Sequence, residues 1–142
     1  MLKVQTSNGK AAIYVGQFID GNKHGDGRQF EHNGPIYIGE WKDNKKDGRG
    51  KLIMSSYETY QGTFEKGFKS GYGQETFRNG DRYEGHYLLG KFEGKGKYMW
   101  GSGAIYDGQF KAGLRNGFGV WRSQVDGGDL YEGEYVDDKK EG

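Results

Sequence analysis

The chain has 142 residues, enough for one ordinary domain, with 28 glycines, one proline and no cysteine. Its 21 basic and 20 acidic residues nearly cancel, which argues against a dedicated nucleic-acid binder, and the missing cysteines exclude a disulfide framework and a thiolate zinc site. Leu, Ile, Val and Phe together make only 25 residues, so a folded chain must bury its 11 Tyr and 3 Trp, at roughly 150–250 Å² per ring.

From the N-terminus, Met1-Leu2-Lys3-Val4-Gln5-Thr6 is too polar for a signal peptide. No apolar run approaches the ~20 residues of a membrane-spanning helix. Residues 1–13 read as a partial half-repeat, with Leu2–Thr6 as a second strand and Asn8-Gly9 as its turn.

Residues 14–130 hold five repeats. Tyr14, Tyr37, Tyr60, Tyr83 and Tyr106 recur every 23 residues, and Tyr131 follows 25 later. Two residues after each comes Gly, and two further on an aromatic: Phe18, Trp41, Phe64, Tyr87, Phe110 and Tyr135. Tyr-x-Gly-x-aromatic has period two, so it reads as a strand with those residues on one face. A polar stretch of five residues follows and predicts a hairpin loop of that length. Gly-x-Gly, first at Gly25 and Gly27, then opens the second strand. A strand glycine weakens a strand unless a neighbour needs its space, so a ring from the next hairpin is expected to lie across each glycine.

Second-strand positions of the same parity hold Leu52, Met54, Phe77, Tyr98, Trp100 and Trp121. The first repeat departs, with Gln29 and Glu31 there and Phe30 on the other parity. Either a bulge shifts the register or this end of the face is more polar. The expected fold is all-β: one elongated, twisted antiparallel single-layer sheet of stacked hairpins, spanning about 50 Å over five repeats. Residues 131–142 form the first strand of a truncated sixth repeat, so the array reads as a fragment or as an edge awaiting a partner strand, a second copy included.

The unit Tyr-x-Gly-x-aromatic-x-x-Gly-x-x-x-Gly-x-Gly resembles the MORN repeat across residues 14–142, with close matches at residues 37–44 and 83–87. That resemblance implies an all-β array with a curved groove. It also implies a scaffold or targeting role: cytoskeletal and ciliary assembly, membrane tethering, partner-peptide binding, phospholipid binding or end-to-end dimerisation.

Enzymatic chemistry is not expected. No Gly-x-Gly pair has the third glycine or the helical pattern of a nucleotide site. Asp20, Asn22, His24 and Glu31 faintly echo a calcium loop but sit between strands. His24, His32 and His86 share no ligand spacing, and nothing builds a deep dry pocket. No cofactor is expected.

Two features stand out as binding candidates. A basic ladder, Lys23, Lys46, Lys69, Arg115 and Lys140, stands nine residues after the repeat tyrosines, broken at Phe92 with Lys91 beside it. These are expected along one hairpin-tip edge, facing an anionic membrane or acidic partner, though acidic neighbours such as Asp47 and Glu93 dilute the field. An aromatic groove of Tyr98, Trp100 and Trp121, with Phe77 and Met54, is the candidate seat for a partner helix or peptide. The opposite parity is also apolar at Phe30, Ile53, Tyr72, Met99, Phe118 and Val120, so either face of a single layer is open to a partner. The sequence therefore reads as a non-catalytic protein-binding scaffold of the cytoplasm, in a cytoskeletal or ciliary assembly. The alternatives are a phospholipid-binding module using the basic edge and a self-assembling strut that dimerises through its sheet ends.

Overall fold

A computed structural model describes residues 2–7, 10–124 and 128–140. Every regular element among them is a strand: β1 (Leu2–Ser7), β2 (Lys10–Ile19), β3 (Asn22–Glu31), β4 (Ile36–Lys42), β5 (Lys45–Ser55), β6 (Glu58–Glu65), β7 (Phe68–Thr76), β8 (Arg82–Leu88), β9 (Lys91–Met99), β10 (Ile105–Lys111), β11 (Leu114–Arg122), β12 (Leu130–Val136) and β13 (Lys139–Lys140). They form one open antiparallel sheet in chain order, so each hairpin leans only on its neighbours. β1 pairs β2 from Leu2 opposite Val15 to Ser7 opposite Lys10. The expected turn at Asn8-Gly9 and the residues beyond Lys140 lie outside the described residues.

The hairpin loops are tighter than the polar stretches suggest. Ile19 faces Asn22 across a turn of Asp20-Gly21, and the same two-residue turn recurs at Asp43-Asn44, Lys66-Gly67, Leu89-Gly90, Ala112-Gly113 and Asp137-Asp138. Both turn residues have positive φ, 50° and 81° at Asp20 and Gly21, and this left-handed backbone matches the twist of the flanking strands.

The remaining polar residues form a bulge. Gly16 faces Gly27 while Phe18 faces Lys23, so Gln17 alone stands opposite His24, Gly25 and Asp26. Gly25 takes φ 74° there, and the Gln17 Oε1 fills the gap by accepting from the Asp26 N–H at 2.8 Å. Four further hairpins shift register at the corresponding place.

The two glycines of each pair therefore have different reasons. The first turns the bulge. The second makes room for a ring, and that ring is the hairpin's own tyrosine, not one from the next hairpin. A Cβ at Gly27 would stand 2.2 Å from the Tyr14 hydroxyl. Within one strand the Tyr side chain leans along its own backbone, and its hydroxyl reaches the carbonyl of Gln17, three residues on, at 2.9 Å. Tyr37, Tyr60, Tyr83, Tyr106 and Tyr131 repeat the bond to Glu40, Thr63, His86, Gln109 and Glu134.

A single sheet thereby acquires a core. Tyr14, Tyr37, Tyr60, Tyr83, Tyr106 and Tyr135 are at most 2% exposed. Edge-to-face contacts at 5.0–5.4 Å run unbroken through Phe18, Tyr14, Trp41, Tyr37, Phe64, Tyr60, Tyr87, Tyr83, Phe110, Tyr106, Tyr135 and Tyr131. Such pairs add roughly 0.5–1.5 kcal/mol each beyond the area they bury. The Trp41 indole N–H also donates to the Gly27 carbonyl of the preceding hairpin at 3.1 Å. In the first repeat Tyr14 faces Gln29 and Ile13 faces Phe30, so no register change sets this repeat apart and its end of the aromatic face is simply more polar.

Candidate docking surfaces

The basic ladder does not form one exposed edge: Lys91 and Lys140 are exposed, but Lys23 is buried and Lys46, Lys69 and Arg115 are half-buried. The residues nine after each tyrosine begin the second strands and face the fourth-position aromatics, as Lys46 faces Trp41 and Lys69 faces Phe64. Their side chains fold over the aromatic face. Lys23 lies 5.4 Å above Tyr14 and 5.0 Å above Trp41, Lys46 5.6 Å above Tyr37, and Lys69 5.2 Å above Tyr60. Arg115 covers Tyr135 at 5.0 Å and Trp100 at 5.7 Å, and Lys140 covers Tyr131 at 4.9 Å. The physical reason is the ring quadrupole, which draws a cation onto the aromatic face while the alkyl stem covers apolar surface. At the fourth slot Phe92 stacks on Tyr83 at 3.9 Å, so the gap in the ladder is a ring doing what the cations do elsewhere. Lys91 alone of the six basic candidates has the opposite parity, and it is exposed.

Three of these cations are matched. The Lys23 ammonium donates to the Gln29 carboxamide at 2.5 Å, Lys69 pairs with Glu75 at 3.0 Å, and the Arg115 Nε donates to Asp138 at 2.8 Å. Burial pushes the phenols of Tyr60 and Tyr106 up to about 12, so they stay neutral hydrogen-bond donors.

Four of the five groove candidates, Phe77, Tyr98, Trp100 and Trp121, pack on the aromatic face, but not in one hollow. Tyr98 and Trp100 line a hollow of about 360 Å³ with Phe92, Phe110, Gly113, Arg115 and Asp138. Phe77 lines another of about 250 Å³ near Tyr57 and Arg78. Phe77, Tyr98, Trp100 and Trp121 pack half-buried against the tyrosine core, and Met54 is half-buried.

The larger hollow, about 640 Å³, lies on the second face across β9–β12, lined by Lys95, Lys97, Ile105, Asp107, Gln109, Phe118, Val120, Arg122 and Glu132. A smaller one of about 220 Å³ shares Lys95, Lys97 and Asp107 and continues it to Glu84 and Tyr72. Phe118 and Tyr72 are 54% and 49% exposed. This face also carries exposed Ile13, Val15, Phe30 and Ile38 in the first two repeats. Parity placed these residues together, but only the geometry gives their face the broader hollow.

The hairpin tips hold a third surface. Phe68, Leu88, Leu89, Leu114 and Val136 are 40–65% exposed, and exposed Lys42, Lys45, Lys66, Lys91, Lys111 and Lys139 stand among them. Among the described residues no three His, Cys, Asp or Glu side chains are grouped to hold a metal. The faint calcium loop is the first hairpin turn and bulge, with Asn22 accepting from Asn44 at 2.8 Å.

An open sheet of stacked hairpins, each closed by its own tyrosine over a glycine, defines a β-hairpin repeat array. The pattern that defines the MORN repeat matches residues 14–29, 37–59, 60–82, 83–105, 106–124 and 131–142, and the chain belongs to the MORN repeat family. MORN repeats are non-enzymatic repeats that generally bind proteins or membranes. No curated protein matches the chain.

Proposed function

We propose that this chain is a non-catalytic docking array that seats a helical or extended segment of a partner protein across its strands, in a cytoplasmic, cytoskeletal or ciliary assembly. The observation that carries this reading is the long hollow on the second face, where Phe118, Val120 and Tyr72 offer apolar area between the charges of Lys95, Lys97, Asp107 and Glu132. Apolar anchors ringed by charge are what a specific protein interface needs. The aromatic face is the rival seat, centred on Trp100 and Tyr98.

A second reading, a membrane-targeting module, is supported by the hairpin tips, where exposed apolar side chains and lysines alternate along one edge. Such a row suits the boundary of an anionic bilayer.

One experiment separates these readings. A photo-crosslinking residue is placed at Phe118, Trp100 or Leu114 in turn and activated in source cells. A protein adduct at Phe118 is the expected result. Protein adducts at Trp100 alone move the seat to the aromatic face, and lipid adducts at Leu114 alone favour the membrane reading. The absence of protein adducts at both faces overturns the docking proposal.

A further inference from the structure

Four of the six slot residues above the repeat tyrosines are matched to a second side chain that suits them, and exposed Lys140 at the sixth slot lies over Tyr131 and Trp121. Lys23 has the Gln29 amide oxygen, Lys69 the Glu75 carboxylate, Phe92 the Tyr98 ring at 6.1 Å, and Arg115 the Asp138 carboxylate. Gln29, Glu75 and Tyr98 all stand six residues after their slot partner; at the same distance from Lys46 stands Leu52. No hydrogen bond or ion pair holds the Lys46 ammonium among the described residues, and it lies 5.6 Å above the Tyr37 ring.

Two titratable groups face it: the Tyr37 phenol on β4, kept neutral by burial, and the Glu31 carboxylate at the end of β3, which acts through space. Desolvation outweighs Glu31 and holds the Lys46 ammonium below the ordinary lysine range. A half-buried ammonium loses hydration, and this slot gives back no acceptor, so the amine is freed at a lower pH than that of an exposed lysine. Lys69, in the same backbone position one hairpin on, keeps its charge satisfied by Glu75.

We propose that Lys46 is a nucleophilic lysine and the preferred acylation site of this array, taking its acyl group from an acyl thioester. The neutral Nζ attacks the thioester carbonyl carbon. A C–N bond forms, the C–S bond breaks, the thiolate leaves, and the proton shed by nitrogen passes to it through water. The product is a neutral amide, which needs no counter-charge in a slot that faces Tyr37 and Trp41. Acylation would also remove one cation from the aromatic face, so the slot gives the array a way to change that face's charge.

The test exposes the whole folded chain to a small acetyl thioester at pH 7.4 and follows each lysine by peptide mass spectrometry. Lys46 is expected to be acetylated about threefold or more faster than exposed Lys51 and than Lys69, because desolvation leaves more of its amine free at that pH. Leu52→Glu restores the pairing of the next hairpin and is expected to slow Lys46 to the rate of Lys69, with circular dichroism confirming the fold. Lys46 reacting no faster than Lys51, or at an unchanged rate in Leu52→Glu, overturns the proposal.

Discussion

The Tyr83 ring lies flat over Gly96, so close that a Cβ there would stand 2.2 Å from the phenol oxygen, while the hydroxyl donates to the His86 carbonyl at 2.8 Å. The same relationship joins Tyr14 to Gly27, Tyr37 to Gly50, Tyr60 to Gly73 and Tyr106 to Gly119. It lets a sheet with nothing packed on it bury a large aromatic core.

Gly96→Ala therefore forces the Tyr83 ring off its seat and breaks the spine at its centre. A loss of about 2–3 kcal/mol is expected, in the range of overpacked cores. Gly90→Ala is the control. Its Cβ meets nothing within 4 Å, but its φ of 84° makes a side chain cost about 1 kcal/mol. Urea melts of both variants give the comparison, and equal losses would mean that the ring contact contributes nothing special.

The two-residue turns leave room for stabilisation. Leu89 and Ala112 take φ 49° and 51°, a conformation that suits Asn and Asp, whereas the matching positions at Asp20, Asp43 and Asp137 already hold Asp. Leu89→Asn and Ala112→Asn are each expected to gain about 0.5–1 kcal/mol. Thermal melting points that fall in both variants would contradict this account of the turns.

Tyr87 and Tyr135 occupy the same repeat position with different fates. The Tyr87 hydroxyl donates to buried Glu75 at 2.9 Å, whereas the buried Tyr135 hydroxyl has no hydrogen-bond partner among the described residues. Where Glu75 sits opposite Tyr83, Trp121 sits opposite Tyr131, and an indole offers no acceptor. Tyr87→Phe should cost about 1–2 kcal/mol, and Tyr135→Phe should be neutral or stabilising by up to about 1 kcal/mol. Measured stabilities in the reverse order would refute the assignment.

Asp81 ties two connecting turns together, accepting from the Tyr98 hydroxyl at 2.7 Å, the Gly101 N–H at 2.9 Å and the Asn79 amide at 3.3 Å. Burial pushes its carboxyl up, but those hydrogen bonds outweigh burial and hold it below the ordinary carboxylate value. A depressed folded-state pKa means the unfolded chain binds the proton more readily. The stability Asp81 contributes is thus complete above about pH 4 and fades as pH falls through its folded-state value. Asp81→Asn should cost about 2 kcal/mol near neutral pH and flatten the acid limb of a stability–pH curve. An acid limb as steep as in the parent chain would show that other carboxylates dominate it.

The sequence by itself determined the repeat, the all-β fold and the face that holds the rings, because a period of two along a strand leaves a side chain only two directions to point. The 23-residue recurrence of Tyr, Gly and aromatic made that face legible from Tyr14 to Tyr135. The tertiary structure decided the rest. A run such as Asp20–Asp26 shows seven loop-forming residues, but only pairing shows that two make the turn and three make the bulge opposite Gln17. The acids that looked like diluting charge are caps: Asp47 and Glu93 accept from the turn N–H groups of Lys66 and Ala112 on the following hairpin. The lysines that looked like an exposed edge are laid over rings because each ring is buried against its own glycine and presents its face to the next strand. The capping hydrogen bonds join residues 19–23 apart through hairpin stacking, a separation at which sequence spacing carries no direction, and only the assembled sheet sets which side chain meets which.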